Sequence, residues 1–407
     1  MLVPIISVIA ILAAIAIGNY LGVNIGMISI VFAFLIGFFI SGIPASEIIS
    51  GWPLQLFFML LGMTLLFGIA RVNGTLSLLA HKTVEATLGK TKLVPAVFFI
   101  MSGVLAALGA GNIAICALVL PIAMTIALNY KISPLLMATM VIAGSNAGGL
   151  SPIAPTGIIA AALTNEQGLE ISMSIFGKQI IGQSILACIL YFLLKGHSLK
   201  DTNPDVNMLS QPLNREQKIT VAVFLLVVAA IVFGRWDIGL TAFAGVVVLL
   251  LMGVAEEKPA MEAVPWSTIV LVCGVTMLVK VSETTGGIDL LSHSLTRVMD
   301  GQMAAPIMGV IAGCLSLVSS ASGVVMPTLI PTVPGLVAEI GGNPTQIISA
   351  LIMGAHMVTN SPISTLGALA VASAGENVNK VKFFNQLFII GIAGLFFSTV
   401  IVYLGIV

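Results

Sequence analysis

Two polar runs sit inside long apolar stretches, and a third and fourth lie in the stretches that precede them. Residues 144–157 carry Ser145, Asn146, Gly148, Gly149, Ser151, Pro152, Pro155 and Thr156, and residues 354–367 carry His356, Thr359, Asn360, Ser361, Pro362, Ser364 and Thr365. Adding 210 to the first numbering superposes Gly144 on Gly354, Ser151-Pro152-Ile153 on Ser361-Pro362-Ile363, and Gly157 on Gly367. Upstream, Asn112 stands alone between Gly111 and Ile113, and Ser319, Ser320 and Ser322 occupy the corresponding place in the second half. A helix interrupted by so many glycines, prolines and hydroxyls exposes backbone N–H groups at one new end and carbonyls at the other. N-termini favour anions and carbonyl ends favour cations, while hydroxyls and amides fix orientation. No Lys, Arg, Asp or Glu occurs in 93–130, 132–165 or 302–338. An anion bound there is met by dipoles, hydroxyls, amides and a co-bound cation rather than by a fixed arginine. Asn112 can also cap its own helix, and each hydroxyl can bond back to a carbonyl of its own turn; capping and binding can coexist.

These residues need a membrane-embedded scaffold. The 407-residue chain is 58% hydrophobic and 8% charged with a mean hydropathy of +1.14, far from the roughly 25% charge of soluble domains. It reads as an all-α polytopic membrane protein. Spans of about 20 apolar residues are expected over 3–20, 26–43, 53–71, 174–194, 218–234, 237–254, 266–281 and 383–405, with broken helices over 134–164 and 344–374. The stretches 93–130 and 304–339 read as re-entrant hairpins, each of two short helices meeting at a polar, small-residue tip.

The repeat extends beyond the breaks. Pro121 matches Pro331 and Pro134 matches Pro344; at a slightly longer offset, Gly62 and Thr64 match Gly274 and Thr276, and His81 matches His293. Each half therefore holds five spans and one hairpin, and an odd number of spans forces the second copy upside down: two inverted repeats with broken helices at the midplane. Repeat 1 is 1–195, with scaffold spans in 3–71; repeat 2 is 218–407, with scaffold spans in 218–281. Residues 196–217 form a linker. Of the 16 Lys and Arg residues, twelve fall on one face and only Lys178, Arg235, Lys280 and Arg297 on the other. The first face is expected to be cytoplasmic, which puts both termini outside a plasma (inner) membrane and the linker inside.

Other chemistries lack their residues. There is no Walker-type loop, no Ser/His/Asp set, no zinc-like Cys/His spacing, no basic stripe for nucleic acid and no pair of intramembrane carboxylates, so the chain is not read as an enzyme or a pump. Cys116, Cys188, Cys273 and Cys314 lie in apolar runs and read as packing residues, and His356 reads as hydrogen-bonded structure. The polar lining of the expected site is Asn112, Ser145, Asn146, Ser151, Thr156, Ser322, Thr359, Asn360, Ser361, Ser364 and Thr365.

The hairpin run from Gly111 through Asn112 to Pro121 resembles the Ser-Asn-Thr signature and following proline of divalent anion/sodium symporters of the ion transporter superfamily. The run from Ala321 through Ser322 to Pro331 looks like its second copy. Gly111 and Ile113 stand in place of the signature's Ser and Thr, and Ser322 in place of the second Asn. The break Asn146–Gly157 is most similar to the MatC-type dicarboxylate (malonate) carriers of that superfamily. The resemblance implies a homodimeric elevator transporter whose hairpins and broken helices move against the first three spans of each half. It also implies sodium as the coupling ion, held at Gly109, Asn112, Gly148 and Gly149 and at a second site near Ser319, Ser322 and Thr359. The substrate carboxylates would meet Asn112 and Ser322. The expected function is sodium-coupled symport of small dicarboxylates, malonate-like or C4. A proton-coupled carboxylate carrier, an ion antiporter of the same superfamily and a non-transporting scaffold are the alternatives.

Overall fold

A computed structural model describes residues 2–76, 78, 82, 90–201, 212–375 and 378–406. His81 and residues 202–211 of the 196–217 linker lie outside the described residues. Every regular element among those described is helical. Among the described residues, seven helical segments are long and apolar enough to cross a membrane, and four shorter apolar ones accompany them.

The first half runs α1 (Leu2–Leu21), α2 (Ile25–Phe34, continued by a wide turn to Ile40), a short α3 (Ala45–Ser50) and α4 (Leu54–Val72). Then come α5 (Val94–Leu105, continued to Ala110), α6 (Asn112–Asn129), α7 (Pro134–Gly149), α8 (Pro155–Asn165) and α9 (Ser172–Leu193). The second half runs α10 (Arg215–Val232), α11 (Ile238–Leu251), a short α12 (Glu257–Glu262), α13 (Trp266–Thr284) and α14 (Gly287–Thr296). It continues with α15 (Ala304–Ser316), the turns 321–325 leading into α16 (Met326–Leu329), α17 (Val333–Ile340), α18 (Pro344–Met357), α19 (Thr365–Ser373) and α20 (Lys380–Tyr403).

Both expected interruptions are present, between Gly149 and Pro155 and between Met357 and Thr365. Their local bonding repeats: Ser151 N donates to Gly148 O and Ala154 N to Ser151 O, while Ser361 N donates to Val358 O and Ser364 N to Ser361 O, all at 2.9–3.0 Å. Pro155 supplies no donor and pre-sets the first turn of α8, while α19 starts at Thr365 without a proline; the repeated bonds make each break a short bonded turn and not a loose loop.

The stretches read as hairpins differ from expectation in length. The segments Thr91–Ala110 and Asn112–Asn129 are 20 and 18 residues long, where two short helices were expected. Nothing in 94–105 interrupts the helix, and Pro121 is accommodated inside α6. In the second half the incoming α15 has 13 residues, and the outgoing arm is divided into short turns by Pro327, Pro331 and Pro334.

Packing runs between the halves as well as within them. α2 packs on α13 and α4 on α11, and both crossings are made close by glycine: a Cβ on Gly239 would lie 2.9 Å from the Phe58 carbonyl, and one on Gly274 would strike the backbone of Gly26. Within halves, α5 and α6 pack on α7 and α7 on α9, while α15 packs on α18 and both pack on α20. Large apolar side chains such as Leu12, Phe39, Leu226, Leu251 and Phe396 face outward, as a lipid-facing surface requires. Cys116 and Cys273 are buried packing residues, but Cys188 and Cys314 are exposed on their helices.

Candidate functional site

The first tip is built by backbone that only glycine adopts readily. Gly109 (φ 119°) and Gly111 (φ 76°) flank Ala110 and turn the chain so that α6 begins at Asn112. Asn112 is 5% exposed, and its amide is engaged at both ends, with one Nδ2 hydrogen beyond the bonds described here. Its Oδ1 accepts from Ile113 N at 3.0 Å and from Thr156 Oγ1 at 3.1 Å, and its Nδ2 donates to Asn146 Oδ1 at 3.0 Å. Asn146 Nδ2 in turn donates to Thr359 Oγ1 at 2.7 Å and to His356 O at 3.3 Å, and Thr359 Oγ1 donates to the same carbonyl at 2.9 Å. One hydrogen-bonded chain thus joins the first tip, both broken helices and both halves. It is buried throughout, where partnered amides rigidify and unpartnered ones are costly.

Close approach at this point depends on Gly149. A Cβ there would lie 3.1 Å from Asn112 Cβ and 3.3 Å from its Cγ, so a larger residue would push the tip away from the break.

Asn112, Thr156 and Ser322 line one side of a cavity of about 260 Å³, together with Gly111, Ile113 and Pro155. The N-termini of α6 and α8 border it through Asn112 and Pro155, which brings the partial positive charge of both helix ends to the cavity. The opposite wall is α4, through Leu60, Thr64, Phe67, Gly68 and Arg71, and the α12–α13 junction, through Glu262, Ala263, Pro265 and Thr268.

Other expected lining residues are placed differently. Ser145 Oγ donates to Ile142 O at 2.9 Å and lies 3.0 Å from Cys116 Sγ, so its hydroxyl is spent on its own helix and on α6. Ser361 Oγ donates to Leu317 O at 2.8 Å and Ser364 Oγ to Ser319 O at 3.2 Å; these tie the second break to the second tip. Ser319 Oγ donates back to Leu315 O at 2.6 Å. Ser151 and Asn360 are buried outside the cavity, and Thr365 is exposed. The Asn360 Oδ1 oxygen and the His356 Nε2 nitrogen are buried without a hydrogen-bond partner among the described residues. Of the residues assigned to sodium, Gly148 O accepts from the amides of Leu150 and Ser151, and Gly109 packs against Met63 and Phe67.

Sequence reasoning missed Thr64, Arg71, Glu262 and Thr268 as cavity residues because it counted α4 and α13 as scaffold and Arg71 as loop charge. The signal was there: Leu60, Thr64, Phe67, Gly68 and Arg71 recur at three- and four-residue spacing and share one helix face.

No curated protein matches the chain. Residues 1–149 match the family model described as the dicarboxylate carrier protein MatC N-terminus, a match that contains Asn112 and Asn146 and ends at the last residue of α7. The N-terminal region is thus similar to dicarboxylate carriers of the MatC type, and the several apolar helices are those of a multi-pass membrane protein.

Proposed function

We propose that the chain is a secondary active transporter of small dicarboxylates, malonate-like or C4, working by sodium-coupled symport and an elevator-type movement. The observation that carries this reading is the cavity that ends on Asn112, Thr156 and Ser322, with two helix N-termini bordering it and the buried amide chain behind it. Partial positive charge and neutral donors suit a carboxylate, and the family match supplies the substrate class. Inverted repeats are supported by the recurring bonding of the two breaks and by the paired crossings of α2 on α13 and α4 on α11. In this reading the hairpins, α7–α9 and α18–α20 carry the substrate, the remaining spans form a scaffold in a homodimer, and the cavity mouth at Arg71 faces the cytoplasm.

Sodium takes oxygen ligands, in transporters often from unwound backbone and amide side chains. Asn360 Oδ1, a buried oxygen without a donor in the second break, fits that need. Ser319 Oγ keeps lone pairs after donating to Leu315 O. Thr359 Oγ1 fits less well, because it already accepts from Asn146. Proton coupling is the second reading, and the unpartnered, buried His356 Nε2 favours it.

Uptake of labelled malonate and succinate into proteoliposomes separates these readings, comparing inward sodium and proton gradients at fixed membrane potential. Sodium-driven uptake of either acid is the expected result. Uptake driven by protons alone would keep the substrate class and discard the sodium sites, and no uptake of either would overturn dicarboxylate transport.

A further inference from the structure

We propose that Arg71 selects doubly charged substrates by meeting the second carboxylate of an acid whose first carboxylate sits at the Asn112 tip. The inference rests on the dicarboxylate reading above and assigns a specificity residue that the tips and breaks do not contain.

The tip end of the cavity is electrically modest. Asn112, Thr156 and Ser322 are neutral, and the starts of α6 and α8 contribute only partial charges. That is enough for one carboxylate and gives no reason to prefer a dianion. Among the described residues lining the cavity, Arg71 is the sole basic side chain and Glu262 the sole acidic one. No ion pair joins them or engages either one among the described residues.

Local structure explains why both reach the cavity. Arg71 lies in the last turn of α4, on the face that carries Thr64 and Gly68. Helical side chains lean toward the N-terminus of their helix, so a long one at position 71 leans back along this face toward Thr64 and the tip. Gly68 lets α12 approach: a Cβ there would lie 3.0 Å from Ala260 O and 3.3 Å from Ala263 Cβ. That contact seats Glu262 at the mouth opposite α4. A monoanion held at the tip leaves Arg71 unused and passes Glu262 at some electrostatic cost. A dianion directs its second carboxylate toward the mouth, where the planar guanidinium fork can take it in a bidentate pair that a lysine ammonium cannot reproduce.

The test is competition and uptake in proteoliposomes with succinate, malonate and the monocarboxylate propionate. Arg71→Gln should raise the KM for succinate and malonate at least tenfold, with kcat reduced less than threefold and weak inhibition by propionate unchanged. Arg71→Lys should fall between the wild type and Arg71→Gln. Glu262→Gln should shift KM the other way, downward, and it carries the test independently if Arg71→Gln inserts poorly. Wild-type uptake of dicarboxylates with an unchanged KM in Arg71→Gln would overturn this assignment while leaving the transport reading intact. Failure of the wild type to move any dicarboxylate would overturn both.

Discussion

At the first tip the apex residue is an amide facing a glycine in its break; at the second it is a hydroxyl, and the residue 210 positions after that glycine is a threonine. Asn112 corresponds to Ser322 and Gly149 to Thr359. The first tip is held by side chains, through the chain Thr156–Asn112–Asn146–Thr359. The second is held to its break through backbone carbonyls, Leu317 O and Ser319 O, which take the Ser361 and Ser364 hydroxyls. The lesson is a division of labour: the first half commits a large, directional amide to the cavity and clears room for it with Gly149, while the second keeps its bulk in the break and presents a small hydroxyl.

The severest way to break that contrast is Asn112→Ala. It strips the partners from Asn146 Oδ1 and Thr156 Oγ1, and an unsatisfied buried polar group costs about 1–3 kcal/mol. The cavity borders Asn112 and Thr156, so water can take up part of that loss and the protein should still insert. Transport should fall at least a hundredfold while expression and oligomeric size stay normal; near-normal uptake would show that the amide chain is only structural.

Next in size is Gly149→Val. Its new carbons meet Asn112 Cβ, which cannot swing aside without moving the tip. At Gly37 an added Cβ meets Ile48 Cδ1 at 2.7 Å, the flexible end of a side chain. Uptake by Gly149→Val should drop at least tenfold and that by Gly37→Val by less than half, and equal losses would refute a special contact at the first break. The exchange of sizes can be sharpened further. If Asn112/Gly149 and Ser322/Thr359 are compensating pairs, Asn112→Ser combined with Gly149→Thr should express and bind better than Gly149→Thr alone.

Sequence reading reached the helix breaks and the tips because their cause is local. Pro152, Pro155 and Pro362 deny a continuing helix its N–H donors, the paired glycines weaken it, and Asn112 has no apolar reason to exist. It set Ser145 and Thr365 beside the others in the expected lining, and their surroundings differ for a physical reason: a polar residue in an interrupted helix has several carbonyls in reach, and only three-dimensional packing decides that Ser145 turns to Ile142 and Cys116 while Thr365 stays exposed. Arg71 was passed over for the opposite reason: it shares a helix face with Thr64 and Gly68, but only the packing of α12 on α4 at Gly68 closes a cavity over that face. The length of the α5 and α6 arms was equally hidden, since an uninterrupted apolar run carries no mark of where it should stop.

A smaller effect probes the second tip. Ser364→Ala removes one hydroxyl-to-carbonyl bond from Ser319 O, worth about 1 kcal/mol. The melting temperature in detergent should fall by a few degrees and uptake by about two- to threefold, because α19 can still begin at Thr365 without that bond. A loss as large as that of Asn112→Ala would mean that both tips are equally committed to the substrate and that the division of labour is wrong.

The smallest change is expected from His356→Gln, and it bears on the point where the two halves meet. The group that receives Asn146, Thr359 and Gln183 is the His356 main-chain carbonyl, which glutamine leaves in place. The ring contributes one bond, from Nδ1 to Ile352 O at 2.8 Å, and its other nitrogen has no partner among the described residues. If sodium drives transport, the variant should keep more than half of the wild-type rate with the same dependence on pH between 5.5 and 8. A pH profile that flattens in His356→Gln, together with loss of proton-driven uptake, would move the coupling ion from the Asn360 oxygen to this ring. It would also make the second half, rather than the first, the place where the driving force is read.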